Sequence, residues 1–369
     1  MGRETTKTRK ATAAIVAAAI AFALGLALGA THPTTALAQD LTAGSATSLG
    51  AQDNAQQMQL VTQKAKVHKI RTAAQWHIIG RYKGGTFKIM KNITLPNENY
   101  YLNITKNRKY VIDLNGKMVK TAYTGVPLRT VSPLHATKGK VILKSSKKNK
   151  GVLYSTETAA VVLQGTAKFY LKSGSIVNNA TEFRSDITSG IMAYDKSKCY
   201  LQGKSRVRSI GNGVALFGSS KLFTTGKPYV RAGANEYTGQ FMHYGSGISV
   251  ASKSARIKLK GGSFGTKASP DATLWSPAVT MTYAQSANYP ILDQFGYALP
   301  SGLAKGYKCI DAKGSKVAMR GSNLSEYYDG VNAPSWTDLL ASMGYREEQR
   351  YTTSVKSADG YYTVYVVKK

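Results

Sequence analysis

A short pattern recurs along the middle of this 369-residue chain in a constant register. The segment Gly190 to Arg208 realigns on Gly213 to Arg231 at an offset of 23 residues. The identical pairs are Gly190/Gly213, Ser197/Ser220, Lys198/Lys221, Gly203/Gly226, Lys204/Lys227, Val207/Val230 and Arg208/Arg231. The same register continues upstream at offsets of 30 and 28, where Lys168 matches Lys198 and Lys140 matches Lys168. A unit of this size with variable insertions predicts a solenoid.

The repeats contain short alternating strands separated by glycine, serine, asparagine or lysine turns. Between Thr86 and about Ser325 no useful helical period appears. The fold class predicted is all-β, a right-handed parallel β-helix over residues 67–322, because crossovers between parallel strands are right-handed. The stretch from Ile70 to Gly80 is expected to cap the first coil as a short helix or strand, since a terminal coil otherwise exposes sheet edges.

Alternation within the repeats predicts which side chains face the core. Strand side chains point to opposite faces in turn. The inward positions are Phe169, Leu171, Cys199, Leu201 and Leu222. The outward positions are Lys168, Tyr170, Lys198, Tyr200, Lys221 and Phe223.

Two segments resemble a known family. Ile93-Thr94-Leu95-Pro96, followed by Tyr110 to Lys117, is similar to the opening of secreted bacterial right-handed parallel β-helix proteins with a pectate-lyase-like fold. The segments Ile291 to Ala298 and Tyr307 to Gly314 look like the closing part of the same proteins. The resemblance covers roughly residues 70–320 and implies the fold rather than an activity.

The N-terminus has the pattern of an export signal. A basic n-region with Arg3 and Lys7 precedes an apolar stretch from Ala13 to Ala30. Ala36-Leu37-Ala38 then offers a small-residue cleavage site, so residues 1–38 are predicted to be a signal peptide. An uncleaved membrane anchor is the alternative, because the apolar run reaches anchoring length. Residues 39–66 are rich in small and polar residues and are predicted to be a flexible linker.

Residues 323–369 are predicted to form a C-terminal cap of one helix and one hairpin. Ser335 begins a helix with a capping-box-like pattern, and Gly344 ends it. The stretches Tyr351 to Val355 and Tyr361 to Val367 alternate on either side of Asp359-Gly360, a strong hairpin turn signal.

The charge balance predicts anionic partners. The chain has 50 lysines and arginines against 19 acidic residues, a formal net charge of +31. Such an excess favours acidic polysaccharide, cell-wall polymer or anionic phospholipid surfaces. Export argues against nucleic acid as the native partner, and leaves peripheral electrostatic contact with the envelope open.

The two cysteines do not form a disulfide framework. Cys199 and Cys309 are 110 residues apart, and Cys199 aligns with Phe169 and Leu222. A pair of small buried apolar side chains is favoured over a bridge, although export would permit bonding.

Carboxylates suitable for catalysis are scarce. A polysaccharide lyase would need acidic ligands for Ca²⁺, and a glycoside hydrolase would need a converging carboxylate pair. The one acidic group, Glu182, Asp186 and Asp195, is better interpreted as a solvated loop. Arg256-Ile257-Lys258 resembles a substrate-binding tripeptide of polygalacturonases, but without the acids this is treated as coincidence. Neither a metal nor a cofactor is predicted, and the scattered histidines are taken as structural.

The candidate ligand-binding residues form rows on the predicted outer face. They are Lys140, Lys168, Lys198 and Lys221, the aromatics Tyr170, Tyr200 and Phe223, and at the next corner Arg208 and Arg231. Aromatic faces would stack on sugar rings while the cations meet anionic groups. The leading hypothesis is a secreted or cell-surface, non-catalytic protein that binds anionic glycans. Two alternatives remain: an acidic-polysaccharide lyase or hydrolase, and lysines that merely keep a long sheet soluble.

Overall fold

The computed structural model describes residues 67–122, 132–147, 150–180, 188–233, 245–250, 252, 254–267, 279–284, 302–317, 319–323, 345–351 and 353–369. Within these ranges an α-helix, α1, spans Ala73–His77, and 3₁₀ turns span Ile78–Arg81 and Glu98–Tyr100. The strands that build the coil, in chain order, are β1 (Val67–Ile70), β2 (Gly85–Ile89), β3 (Ile93–Leu95), β4 (Leu102–Ile104), β5 (Lys109–Asp113), β6 (Met118–Thr121), β7 (Leu134–Ala136), β8 (Lys140–Lys144), β9 (Val152–Ser155), β10 (Val161–Leu163), β11 (Lys168–Leu171), β12 (Ser175–Asn178), β13 (Ile191–Ala193), β14 (Lys198–Gly203), β15 (Arg206–Ser209), β16 (Val214–Leu216), β17 (Lys221–Gly226), β18 (Tyr229–Ala232), β19 (Ile248–Val250), β20 (Arg256–Lys260), β21 (Gly262–Thr266) and β22 (Val279–Ala284). The strands that close it are β23 (Tyr307–Ile310), β24 (Lys316–Val317), β25 (Met319–Asn323), β26 (Tyr345–Tyr351) and β27 (Tyr362–Lys368).

The strands stack into three sheets that the chain visits in rotation. Sheet A has the order β1-β2-β5-β8-β11-β14-β17-β20. Sheet B runs β24-β23-β27-β21-β18-β15-β12-β9-β6-β3, and sheet C runs β25-β26-β22-β19-β16-β13-β10-β7-β4. From β2 to β22 every third strand enters the same sheet, and neighbours within a sheet are parallel. The chain is therefore an all-β parallel β-helix, as the repeats predict.

The predicted assignment of inward and outward positions on the strands is confirmed. Phe169, Leu171, Cys199, Leu201 and Leu222 are each 0 % exposed and stack along the axis of the coil. The outward set of lysines and aromatics is half-buried or exposed. The residues paired across β11, β14 and β17 are those of the sequence alignment, so Lys168 lies beside Lys198 and Lys198 beside Lys221.

Two kinds of repeated glycine have a steric cause. Gly203 and Gly226 turn the chain from sheet A to sheet B with φ of +61° and +82°, a region that favours glycine. Gly190 and Gly213 instead lie against the core, where an added β-carbon would come within 2.5 Å and 2.3 Å of Val207 and Val230 respectively. The recurrence of glycine thus follows from the coil geometry.

The N-terminal end of the coil is covered by the segment predicted to cap it. Thr72 caps α1, its side chain accepting a hydrogen bond from the Gln75 amide at 3.2 Å. Trp76 on α1 is 0 % exposed and donates its indole N–H to the Pro133 carbonyl at 3.1 Å. Strand β1 pairs with β2 and adds a first rung to sheet A.

The C-terminal tail covers two sheets rather than folding as a hairpin. The turn at Asp359-Gly360 is present, with φ of +76° at Gly360, but Lys356 and Tyr362 form only an isolated bridge across it. Strand β26 instead pairs antiparallel with β22, and β27 pairs antiparallel with β21. The predicted hairpin pairing is wrong, because the unpaired edges of sheets B and C offer longer partners.

Among the described strands, β22 is the last one that pairs in parallel, and beyond it a single parallel bridge joins Leu259 of β20 to Leu303. Strands β23 and β25 pair antiparallel with β27 and β26. The predicted bounds 67–322 of the coil stay a prediction. The helix predicted from Ser335 lies outside the described residues. The predicted right-handedness, like the predicted signal and linker over residues 1–66, stays a prediction.

Both cysteines are free and buried, as expected of two apolar side chains. Cys199 lies in sheet A and Cys309 in β23 of sheet B. Burial raises the pKa of the Cys309 thiol to about 12 and raises that of Cys199 as well, so neither is a thiolate at neutral pH.

We expect Leu201→Ala to lower the free energy of unfolding by about 2–5 kcal/mol, because it leaves a cavity in a fully packed stack. Urea unfolding followed by circular dichroism measures this change. Gln202→Ala is the matched control, since that outward neighbour is half-buried, and it should change stability by less than about 0.5 kcal/mol. Equal losses of unfolding free energy for the two substitutions would contradict the assignment of Leu201 to the core and Gln202 to the outer face.

Candidate anionic-polymer interface

A column of cations crosses the outer face of sheet A. Pairing places Lys109 beside Lys140, Lys140 beside Lys168, and Lys221 beside Arg256. We call the basic ladder the set Lys109, Lys140, Lys168, Lys198, Lys221 and Arg256, which are neighbours in successive strands from β5 to β20. Adjacent strands are about 4.8 Å apart, so the ladder extends for roughly 24 Å.

Sequence reasoning missed Lys109 as a ladder residue. The signal was available, because Tyr110-Val111-Ile112 before Asp113 repeats the pattern Val141-Ile142-Leu143 at an offset of 31. Lys109, Lys168, Lys221 and Arg256 are exposed, and Lys140 and Lys198 are half-buried. None of the five ladder lysines forms a salt bridge with a side chain in the described ranges. The column therefore keeps a concentrated positive charge.

An aromatic column runs beside the ladder, two residues further along each strand. The Tyr170 and Tyr200 rings stack with centroids 4.2 Å apart and planes 1° apart. Phe223 continues the stack at 4.8 Å from Tyr200, with an interplanar angle of 12°. We call Tyr170, Tyr200 and Phe223 the aromatic stack. Its spacing follows directly from the separation of paired strands.

The stack does not offer its ring faces to sugars as expected. Each ring lies flat against the next, so the inner faces are covered and the edges point outward. At one end the Lys140 ammonium lies 4.7 Å from the Tyr170 centroid. The faces between Tyr170, Tyr200 and Phe223 are therefore closed to sugar rings, unlike the expected row of open faces, and the outer face of Phe223 borders the pocket described below. The stack instead forms a rigid apolar column beside the lysines.

The phenols of the stack contribute hydroxyl groups rather than charge. Burial raises the pKa of Tyr200, and its neighbour Tyr170 raises it further. Tyr200 is therefore neutral at physiological pH and keeps its hydroxyl as a hydrogen-bond donor and acceptor. Sheet A thus presents ammonium groups and phenol edges side by side.

Arg231, a predicted binding residue, is structural instead. It is 3 % exposed, and its Nε donates to Asp359 Oδ2 at 2.8 Å. Its Nη1 donates to the carbonyls of Val230 at 3.1 Å and Ser263 at 3.2 Å. Burial between the last coils and the tail removes it from any outer binding face. We call this ion pair and its neighbours the tail latch: Tyr229, Arg231, Ser357, Asp359 and Tyr361.

Arg208 occupies the rung before Arg231 in sheet B, as the alignment predicts. It is half-buried, with its guanidinium carbon 5.5 Å from the Tyr229 ring centroid. Arg208 therefore lies on a different sheet from the basic ladder. The two predicted groups of binding residues do not form one surface.

A pocket of about 340 Å³ lies where sheet A ends. Its lining includes Phe223 of the aromatic stack with Lys221, Lys258 and Lys305. Lys258 is the strand neighbour of Phe223. Sequence reasoning missed Lys305, which enters through a segment hydrogen-bonded to β20: the Leu259 amide donates to the Gly302 carbonyl at 2.6 Å.

Two described aspartates at turns of the coil accept hydrogen bonds from backbone amides. Asp113 accepts hydrogen bonds from the Asn115 and Ser146 amides, and Asp195 accepts one from the Gly165 amide at 2.7 Å. Glu182 and Asp186, the other members of the weak acidic group, lie outside the described residues. Within the described part of the chain, no cluster of three or more histidine, cysteine or acidic residues is arranged to hold a metal ion.

Among the helices in the described ranges, none has the length and apolar character that a membrane crossing requires. Comparison of the chain with protein-family models, with curated proteins and with solved structures gives no match.

Proposed function

We propose that the protein binds acidic polysaccharide or another anionic envelope polymer along sheet A, outside the cell and without cleaving it. The observation that carries the proposal is the basic ladder, an in-register column of cations with the aromatic stack as its rigid neighbour. Charges of the same sign in one column repel one another, and a polyanion bound along the column reduces that repulsion. A polymer suits this site because the cations repeat along a line.

The polymer would lie on the lysines, with its hydroxyl groups against the phenol edges. Tyr170 and Tyr200 hold each other by stacking, so little side-chain entropy is lost when they contact a ligand. The resemblance to secreted bacterial β-helix proteins with a pectate-lyase-like fold is consistent with an extracellular glycan partner. It stays a resemblance of fold, and the non-catalytic role belongs to the proposal.

Titration with polygalacturonate, followed by isothermal calorimetry, tests the proposal. Binding is expected at low salt and should weaken steeply towards physiological ionic strength, because the contacts are solvent-exposed. Neutral dextran is the control and should not bind. Binding of both polymers alike, or release of unsaturated uronides on adding Ca²⁺, would contradict the proposal.

Export is part of the proposal and has its own test. Expression with the complete N-terminus in a secreting bacterial host is expected to give a mature protein that begins at or near Gln39, because Ala36-Leu37-Ala38 fits signal-peptidase cleavage. Intact mass spectrometry of the culture medium measures this N-terminus. A membrane-bound species that begins at Met1 would support the anchor alternative instead.

A further inference from the structure

The end of the aromatic stack differs from the rest of sheet A. Phe223 is covered on one face by Tyr200, at 4.8 Å between centroids. Its other face is directed towards the next rung, β20, where the pocket of about 340 Å³ lies. The opposite end of the stack is closed by the Lys140 ammonium over Tyr170. The pocket is thus where an aromatic face of the stack meets open space.

Three lysines line this pocket together with apolar side chains. Lys221 comes from β17, Lys258 from β20, and Lys305 from the segment that follows the Leu259–Leu303 bridge. None of the three forms a salt bridge with a described side chain. Ile257 and Leu303 supply apolar lining beside Phe223. Arg256 lines the pocket as well, so the pocket combines a ring face, an apolar wall and four cationic side chains.

We infer that this pocket binds a phosphorylated sugar residue, such as the phosphate-bearing end of an envelope polymer. A phosphomonoester carries about −1.5 to −2 charges at neutral pH and has three acceptor oxygens. A carboxylate or a sulfate ester carries a single negative charge, so it neutralises less of the positive charge of the lysines. The apolar face of a sugar ring packs against the Phe223 ring. The inference deepens the proposed function and rests on it for the nature of the polymer.

Calorimetry with small probes tests the pocket separately from the ladder. At about pH 7.5 glucose 6-phosphate is expected to bind about tenfold more tightly than glucuronate or glucose 6-sulfate. Its advantage should shrink at about pH 5, because the phosphate dianion takes up one proton at about pH 6 and becomes a monoanion. Inorganic phosphate should bind more weakly than glucose 6-phosphate, because it lacks the ring that packs on Phe223.

Matched variants locate the site. The double variant Lys258→Met/Lys305→Met is expected to weaken glucose 6-phosphate binding about tenfold. The control Lys140→Met/Lys168→Met changes two ladder lysines that do not line the pocket, and it should weaken binding less than about threefold. Phe223→Leu should weaken binding of glucose 6-phosphate but leave that of inorganic phosphate unchanged. An unchanged melting temperature for each variant confirms that it is folded.

The outcomes separate this inference from the proposed function. Equal losses from the two double variants, or no preference for glucose 6-phosphate over glucuronate, would overturn the pocket even if polygalacturonate binds along sheet A. Conversely, the protein could bind the sugar phosphates as expected and yet fail to bind polygalacturonate. That result would overturn the polymer interface and support the pocket.

Discussion

Reversal of Lys168, Lys198 and Lys221 to glutamate is expected to weaken polygalacturonate binding at least about a hundredfold. Three attractive contacts of roughly 0.5–1 kcal/mol each become repulsions of similar size, and each 1.4 kcal/mol is a factor of ten. The fold should survive, because Lys168 and Lys221 are exposed and Lys198 points away from the core. Calorimetry measures the loss of binding, and circular dichroism confirms that the variant is folded.

The control for this variant reverses Lys120, Lys308 and Lys368 to glutamate. These three exposed lysines lie on strands of sheet B, and the change in net charge is identical. At physiological ionic strength the screening length is about 8 Å, so distant charges contribute little and the loss should stay below about threefold. Equal losses from both triplets would mean that net charge alone attracts the polymer and that the basic ladder is not a site.

Asp359→Asn is expected to destabilise the C-terminal tail by about 3 kcal/mol. The substitution preserves shape but leaves the buried Arg231 guanidinium without its counter-ion, and breaking a buried pair in this way costs about 3–5 kcal/mol. The lower end of that range applies because Asp359 is 31 % exposed. Hydrogen exchange of the peptide 353–369, compared with a peptide from β14, measures the local effect.

The tail latch also predicts a pH dependence. Burial raises the pKa of Asp359, but the Ser357 hydrogen bond and the Arg231 charge and hydrogen bond together lower it below its ordinary value. A carboxyl group whose pKa is lowered on folding stabilises the native state above its unfolded pKa, near 3.9, and loses that contribution as the pH falls through the folded pKa. The tail is therefore expected to loosen below about pH 4 in the wild type.

Asp195→Asn is the matched control for the latch. Asp195 lies in an exposed turn, and its carboxylate accepts a hydrogen bond from the Gly165 amide, a role that an asparagine oxygen can also fill. This variant should change stability by less than about 0.5 kcal/mol. If Asp359→Asn shows the same small effect, or if acid loosens β14 before the tail, the Arg231–Asp359 pair does not hold the tail.

Repetition in the sequence determined the fold class and the phase of the strands. The realignment of Lys198 on Lys221 and of Tyr200 on Phe223 fixed which residues pair, since a parallel coil that repeats its register brings equivalent residues side by side. The alternation of apolar and polar residues along each strand identified the side chains that face the core, Leu201 among them. These features are local and periodic, so a single chain reveals them without any knowledge of distant contacts.

Tertiary structure decided what the periodic pattern leaves open. Arg208 and Arg231 are equivalent in the repeat, yet only Arg231 is buried, because the tail brings Asp359 against it from 128 residues away. The tail strands β26 and β27 pair with exposed sheet edges rather than with each other. Likewise, Lys305 joins Phe223 at the pocket through a segment outside the repeats. Contacts between the repeats and non-repeating segments follow no period, so only the folded chain determines them.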